Sequence, residues 1–250
     1  MKGIICIFWG TKSTLHFLYK IKKAANTIIK SSHKQRAAPC ISMEESMKQR
    51  IPKHIGIIPD GNRRWAKGNG LQKKDGYSYG LKPGLKLLHL AQKYGIQEIT
   101  YYGFTMDNCK RPKEQVSAFS NACVQAVQMI SHENAKLNII GNTKSACFPE
   151  ELLPYANTKR QPVQSGQTIV NFLVNYGWEW DMKNKWVSRD IPRIDLVIRW
   201  GGMRRLSGFL PLQTVYSDFY IVDDLWPDFQ EKQFCDALQW YQKQDITLGG

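Results

Sequence analysis

Short apolar runs rich in β-branched and aromatic residues recur along this chain of 250 residues, and each is cut off by a polar, glycine or proline turn. They fall at His54–Ile58, Ile99–Phe104, Leu137–Ile140, Thr168–Tyr176 and Asp195–Ile198. Helical patterns lie between them: one from about Ser78 to Tyr94 with Leu81, Leu85 and Leu88 on one face, and one opened by Pro112 and running to Asn134. A last helix is predicted with Asp228 as N-cap and Glu231 three residues on, a capping-box pattern. Strands alternating with helices through short connections argue for an α/β fold with a mostly parallel central sheet flanked by helices. Such a chain has little choice about where to put chemistry, because ligands in open α/β sheets bind outside the carboxyl ends of the strands.

Three of those ends carry similar equipment. After the first run come Pro59, Asp60, Gly61, Asn62, Arg63, Arg64 and Trp65. Asp60 can hold a hard cation through oxygen, Gly61 lets a bulky anion approach the backbone, and Arg63 and Arg64 supply forked donors suited to phosphate. After the second run come Thr105, Asn108 and Arg111. After the last come Arg199, Gly201, Gly202, Arg205 and Ser207, with Asp218 shortly beyond. Two glycines flanked by guanidinium and hydroxyl donors make an anion cradle. Two cradles in one small domain suggest an enzyme that joins two phosphorylated substrates.

The net charge of +14 points the same way, toward an anionic partner. It leaves nucleic acid, a membrane surface and a phosphorylated ligand all open, although no nucleic-acid-binding motif is present. The six cysteines are scattered without CxxC or zinc-ligand spacing and read as reduced thiols of a cytoplasmic protein. Residues 1–49 read as a separate basic leader, and residues 50–250 as the domain expected to carry the catalytic chemistry. From Met1 to Ile41 the leader has no acidic residue, while Leu15, Leu18, Ile21, Ala25 and Ile28 recur at helical spacing. It reads as an amphipathic helix making peripheral contact with an anionic membrane, as a disordered leader, or as upstream sequence captured by an over-early start codon, since Met43 and Met47 closely precede the core. On the second helix Val116, Phe119, Cys123, Val127 and Ile130 form an apolar stripe, which reads as core before it reads as a ligand wall.

The run His54-Ile-Gly-Ile-Ile-Pro-Asp-Gly-Asn-Arg-Arg-Trp-Ala66 closely resembles the signature of the cis-prenyltransferases, the undecaprenyl diphosphate synthase family. Agreement continues through Tyr102-Gly-Phe104-Thr105, Asn108, Arg111-Pro112, Asn175-Tyr-Gly177, Asp195-Leu-Val-Ile-Arg199, Arg205-Leu-Ser207 and Leu225-Trp-Pro-Asp-Phe229. The resemblance spans about 54–250. It implies a homodimeric α/β fold with an apolar substrate tunnel, and Mg²⁺-assisted loss of diphosphate from an allylic substrate. The double bond of a second isoprenoid diphosphate then attacks the cationic carbon. Dimethylallyl, isopentenyl or longer allylic diphosphates are the implied substrates.

By position, the resemblance makes Asp60 a metal-binding and catalytic carboxylate, with Arg64 and Asn108 also catalytic. Gly61, Asn62, Arg63, Trp65, Lys73 and Tyr77 fall around the allylic diphosphate. Phe104, Thr105 and Arg111 match the loop between the two sites, while Arg199, Gly202, Arg205 and Ser207 match the cradle for the second diphosphate. Asp218 takes the place of a glutamate that helps hold the metal. Departures concentrate in the second cradle: Met203 stands for a glutamate, Gly208 for Asn or Asp, and Thr247-Leu-Gly249 for an Arg-x-Gly. Tyr77 stands for a histidine and Cys109 for a tryptophan. The short second helix and a reduced 178–194 segment imply a short product. Irregular members of the family, which couple two dimethylallyl units into lavandulyl-type or cyclised products, share this shortening. Two further readings are a catalytically silent prenyltransferase subunit, at odds with the presence of Asp60 and Arg64, and a basic nucleic-acid-binding protein.

Overall fold

The computed structural model describes residues 50–156 and 166–245; the leader and residues 246–250 lie outside them. Six strands form one sheet: β1 (His54–Ile58), β2 (Glu98–Tyr102), β3 (Ala135–Ile140), β4 (Thr168–Leu173), β5 (Leu196–Arg199) and β6 (Asp218–Ile221). Their order across the sheet is β3-β4-β2-β1-β5-β6, and every pairing is parallel. The mostly parallel α/β sheet read from the sequence is therefore present. Every residue of β1 and β2 is buried, as strands covered on both faces require.

From β1 the chain moves outward to β2, on to the edge strand β3 and back to β4 between them, and β5 then lies on the other side of β1. The connections after β1 and β5 thus leave in opposite directions. This reversal is the switch point at which an open sheet forms a crevice, and it brings the Asp60 and Arg199 turns together.

Several local expectations change. The turn after Pro59 continues into a helix, α1 (Asn62–Gly68). The expected helix from Ser78 is two, α2 (Gly76–Tyr79) and α3 (Leu81–Lys93). Gly80 lies between them, and a Cβ there would sit 2.7 Å from Asn62 Oδ1 and 2.9 Å from the Trp226 ring. Helix α4 (Lys113–Ser131) begins after Pro112 as expected. A short helix, α5 (Trp178–Lys183), follows β4. The last helix, α6 (Glu231–Gln242), is capped not by Asp228 but by Gln230, with Gln233 completing the box. Asp228 instead accepts a hydrogen bond from Trp65 Nε1 at 2.7 Å. Strand β6 had no sequence signature, because its four residues are all only half-buried and sit at the sheet edge.

Among the described residues Cys109, Cys123 and Cys147 are free thiols. No helix among the described residues is long and apolar enough to cross a membrane.

Candidate functional site

A cleft of about 550 Å³ opens where the turns after β1 and β5 meet. From the β1 side it is lined by Asp60, Gly61, Asn62, Arg63 and Arg64, and from the following segment by Lys73 and Tyr77. Thr105, Asn108 and Arg111 enter from the turn after β2, and Arg199, Met203, Arg205 and Ser207 from the turn after β5. The three strand ends do converge.

At the centre stands one carboxylate. Asp60 Oδ2 accepts a hydrogen bond from Arg199 Nη2 at 2.8 Å and lies 3.5 Å from Arg64 Nη2. Helix α1 places Arg64 four residues after Asp60, the spacing at which side chains one turn apart meet. Arg64 Nη2 also donates to the Gly201 carbonyl at 2.9 Å. Gly201 has φ +87°, and a Cβ there would collide with the Arg64 guanidinium. Only glycine permits both the left-handed backbone and the close approach.

Arg199 is the buried member, its side chain 5% exposed. Its Nη1 donates to the Arg205 carbonyl and to Ser207 Oγ, the latter at 3.1 Å. Its Nε is buried with no hydrogen-bond partner. One side chain therefore ties the acidic turn to the far cradle and retains an unspent donor.

The turn after β2 is held by a reciprocal box. Asn108 Oδ1 accepts from the Thr105 amide at 3.1 Å, and the Asn108 amide donates to the Thr105 carbonyl at 2.9 Å. Arg111 Nη1 donates to the Tyr77 hydroxyl at 3.0 Å. Burial pushes the Arg111 guanidinium below its ordinary range, and Arg63 adds to that, against Tyr77 and Asp60. A cation short of water and near a second cation gains when an anion enters.

Four of the expected site residues do not line the cleft. Trp65 points to Asp228 and packs on Tyr79 with ring centroids 4.5 Å apart. Phe104 is buried behind the cleft, edge-on to Phe119 at 5.1 Å. The Gly202 amide donates to the Val222 carbonyl and the Gly201 amide to that of Asp224, so backbone donors expected for an anion are already spent. Asp218 pairs in register with Leu196, at the opposite end of β5 from Arg199. Its carboxylate lies 3.6 Å from Arg50, so Asp218 does not join Asp60 in a metal site within the chain. Lys67 also lines the cleft and was missed. It lies three residues after Arg64, a helical spacing that becomes visible only once α1 is recognised as a helix.

Among the described residues no three His, Cys, Asp or Glu side chains cluster as a metal cage. The donor set still suits Mg²⁺, which keeps several waters and binds through one or two carboxylates plus substrate phosphates. Asp60 and Asp107 both supply carboxylates to a cleft otherwise rich in arginine and lysine side chains.

Behind the cleft lies an apolar cavity of about 80 Å³, lined by Leu81 and Leu85 of α3, Cys123 and Met129 of α4, and Phe172 of β4. The α4 stripe thus serves as core and as cavity wall together. Pro59, Asn62, Tyr77, Gly103 and Phe119 line both spaces.

This arrangement has counterparts. The prenyltransferase family described as undecaprenyl diphosphate synthase matches residues 58–189 and 182–249. Ditrans,polycis-undecaprenyl-diphosphate synthase ((2E,6E)-farnesyl-diphosphate specific) of Pasteurella multocida is 32% identical, covering 80% of this chain and 95% of its own length. The Escherichia coli K12 protein of the same name is 31% identical, covering 84% and 96%. The crystal structure of lavandulyl diphosphate synthase from Lavandula x intermedia in complex with dimethylallyl diphosphate superposes with a TM-score of 0.66 at 21% identity, covering 80% of this chain and 99% of that one.

Proposed function

The chain belongs to the undecaprenyl diphosphate synthase family of prenyltransferases, and from that premise we propose that it ionises an allylic diphosphate in the Asp60 cleft and joins it to a second isoprenoid diphosphate. The observation that carries this reading is the meeting of Arg64 and Arg199, from two strand ends, on one carboxylate with an apolar cavity behind. A diphosphate and a prenyl tail need those two environments side by side.

In this reading the donor diphosphate lies against Arg64, Arg63, Lys73 and Arg111. The C–O bond breaks with its electron pair on diphosphate, and preorganised guanidinium groups stabilise that charge. The π pair of the second isoprenoid forms the new C–C bond, and a proton leaves the acceptor. Asp60 would hold Mg²⁺, which when bound neutralises leaving-group charge. Asn108 spends its Oδ1 on the turn and keeps its Nδ2 as the donor for substrate. Arg199, Arg205 and Ser207 hold the acceptor diphosphate.

A second reading, irregular coupling of two allylic units, is favoured by Met203. Its thioether lies in the cleft where the resemblance implies a carboxylate, with Arg205 Nη1 3.6 Å from its sulfur. Incubation with Mg²⁺ and dimethylallyl diphosphate, with and without isopentenyl diphosphate, followed by mass analysis of dephosphorylated products, tests both. A prenyl product only when isopentenyl diphosphate is present supports regular condensation. A ten-carbon product without it establishes irregular coupling. No product with these or longer allylic donors defeats the proposal.

We further propose a homodimer. Leu212, Val215 and Tyr216 are 43%, 63% and 57% exposed within five residues of one another, and grouped exposed apolar side chains of this kind favour a partner. Peripheral membrane contact of a cytoplasmic protein through the leader rests on its charge pattern alone.

A further inference from the structure

Five residues separate the polar cleft from the apolar cavity, and only two of them present large side chains. Pro59 and Gly103 offer little beyond backbone, and Asn62 is small and holds the Pro59 carbonyl through Nδ2 at 3.1 Å. Tyr77 and Phe119 are the partition. Their rings stack parallel, centroids 4.4 Å apart and planes 1° from coplanar in orientation. Each is fixed from a second direction: Tyr77 by Arg111 on its hydroxyl, Phe119 by the edge contact with Phe104. Aromatic pairs with such geometry hold together beyond their buried area.

The space beyond the stack is small. At about 80 Å³ it is roughly half the ~150 Å³ cavity that takes a benzene molecule. A tail passing the stack would find room there for little more than the outer carbons of one isoprene unit. We propose that the Tyr77–Phe119 stack sets the chain length this site takes, selecting a five-carbon allylic donor and ending synthesis at a ten-carbon product. This inference rests on the prenyltransferase reading above.

The sign of the effect makes it testable. In an open apolar tunnel each added isoprene unit buries more surface and binds more tightly. A closed partition reverses that order. The Kd values of non-ionisable thiolodiphosphate analogues with five- and fifteen-carbon tails are measured with Mg²⁺ for the full chain, Phe119→Ala and the milder Phe119→Leu. The expected result is wild-type binding at least tenfold tighter for the five-carbon analogue. That ratio falls tenfold or more in Phe119→Ala and partway in Phe119→Leu, and Phe119→Ala makes products of fifteen carbons or more. A wild type that prefers the longer analogue or elongates past ten carbons, or variants with an unchanged ratio, overturns the proposal. The binding ratio decides the partition without turnover, so an absence of product defeats the proposed activity and leaves this measurement standing. Failure to bind either analogue overturns both.

Discussion

Asp60 Oδ2 faces two guanidinium groups at once, and the two partners differ in solvation. Arg64 is half in water, whereas Arg199 is buried to 5%. Replacing Asp60 by alanine removes the carboxylate that would bind Mg²⁺ and also strands a buried charge. Product formation should fall by at least ~10³-fold, the scale on which lost charge stabilisation acts in an active site. Stability should fall by about 1–2 kcal/mol. That is less than for a fully buried pair, because Asp60 is itself 35% exposed. Urea denaturation alongside the product assay checks both, and normal turnover in Asp60→Ala would remove Asp60 from the site. Asp60, Arg63 and Arg64 were legible because they are contiguous and chemically distinctive. Asp218 stands away from the cleft of its own chain: chain order puts it just after the far cradle, and only the register of β6 reveals that it sits at the other end of the strand from Arg199.

At the level of elements, β1, β2 and β4 are joined by a buried polar chain as well as by ladder hydrogen bonds. Asn171 Nδ2 donates to Thr100 Oγ1 at 3.1 Å, Thr100 Oγ1 and His54 Nε2 are 2.8 Å apart, and His54 Nδ1 faces the Arg193 carbonyl at 3.2 Å. The pattern closes with a neutral imidazole that donates from Nδ1 and accepts at Nε2. Burial holds His54 below its ordinary value of 6.5, against the opposing pull of Glu98, the Arg193 carbonyl, Asp195 and the Pro192 carbonyl. A base whose folded pKa is depressed contributes its full stability above the unfolded value and loses it as pH falls toward the folded one. Stability should therefore decline below about pH 6.5, and His54→Gln, which keeps one donor and one acceptor, should flatten that decline between about pH 7 and 5. Equal slopes of urea midpoint against pH in the two proteins would rule this out. Strands with an apolar run were legible to within a few residues. Helix α1 and strand β6 were not, because α1 is hidden among arginines chosen for the cleft and β6 has no buried face to impose alternation.

For the whole molecule, the order β3-β4-β2-β1-β5-β6 is what turns scattered motifs into one cleft. The parallel class could be read from alternating elements, but strand order could not, since it depends on which side of β1 the chain returns to. The net charge of +14 and the arginine-lined cleft should also draw anionic substrates electrostatically. Raising ionic strength from about 0.05 to about 0.5 M should increase KM for the diphosphate roughly three- to tenfold with little change in kcat, because screening acts on encounter and binding. A KM indifferent to salt would show that the net charge serves some other purpose.

Arg199 belongs to both halves of the cleft, gripping Asp60 with one nitrogen and Ser207 with another. Any ligand that draws Asp60 away from that grip must alter the guanidinium seen by a ligand at Ser207. Thermodynamic reciprocity then obliges the second ligand to alter the first by the same factor. Two ligands sharing such a cleft would not be independent guests: through a single side chain, occupancy of one half would be registered as affinity in the other.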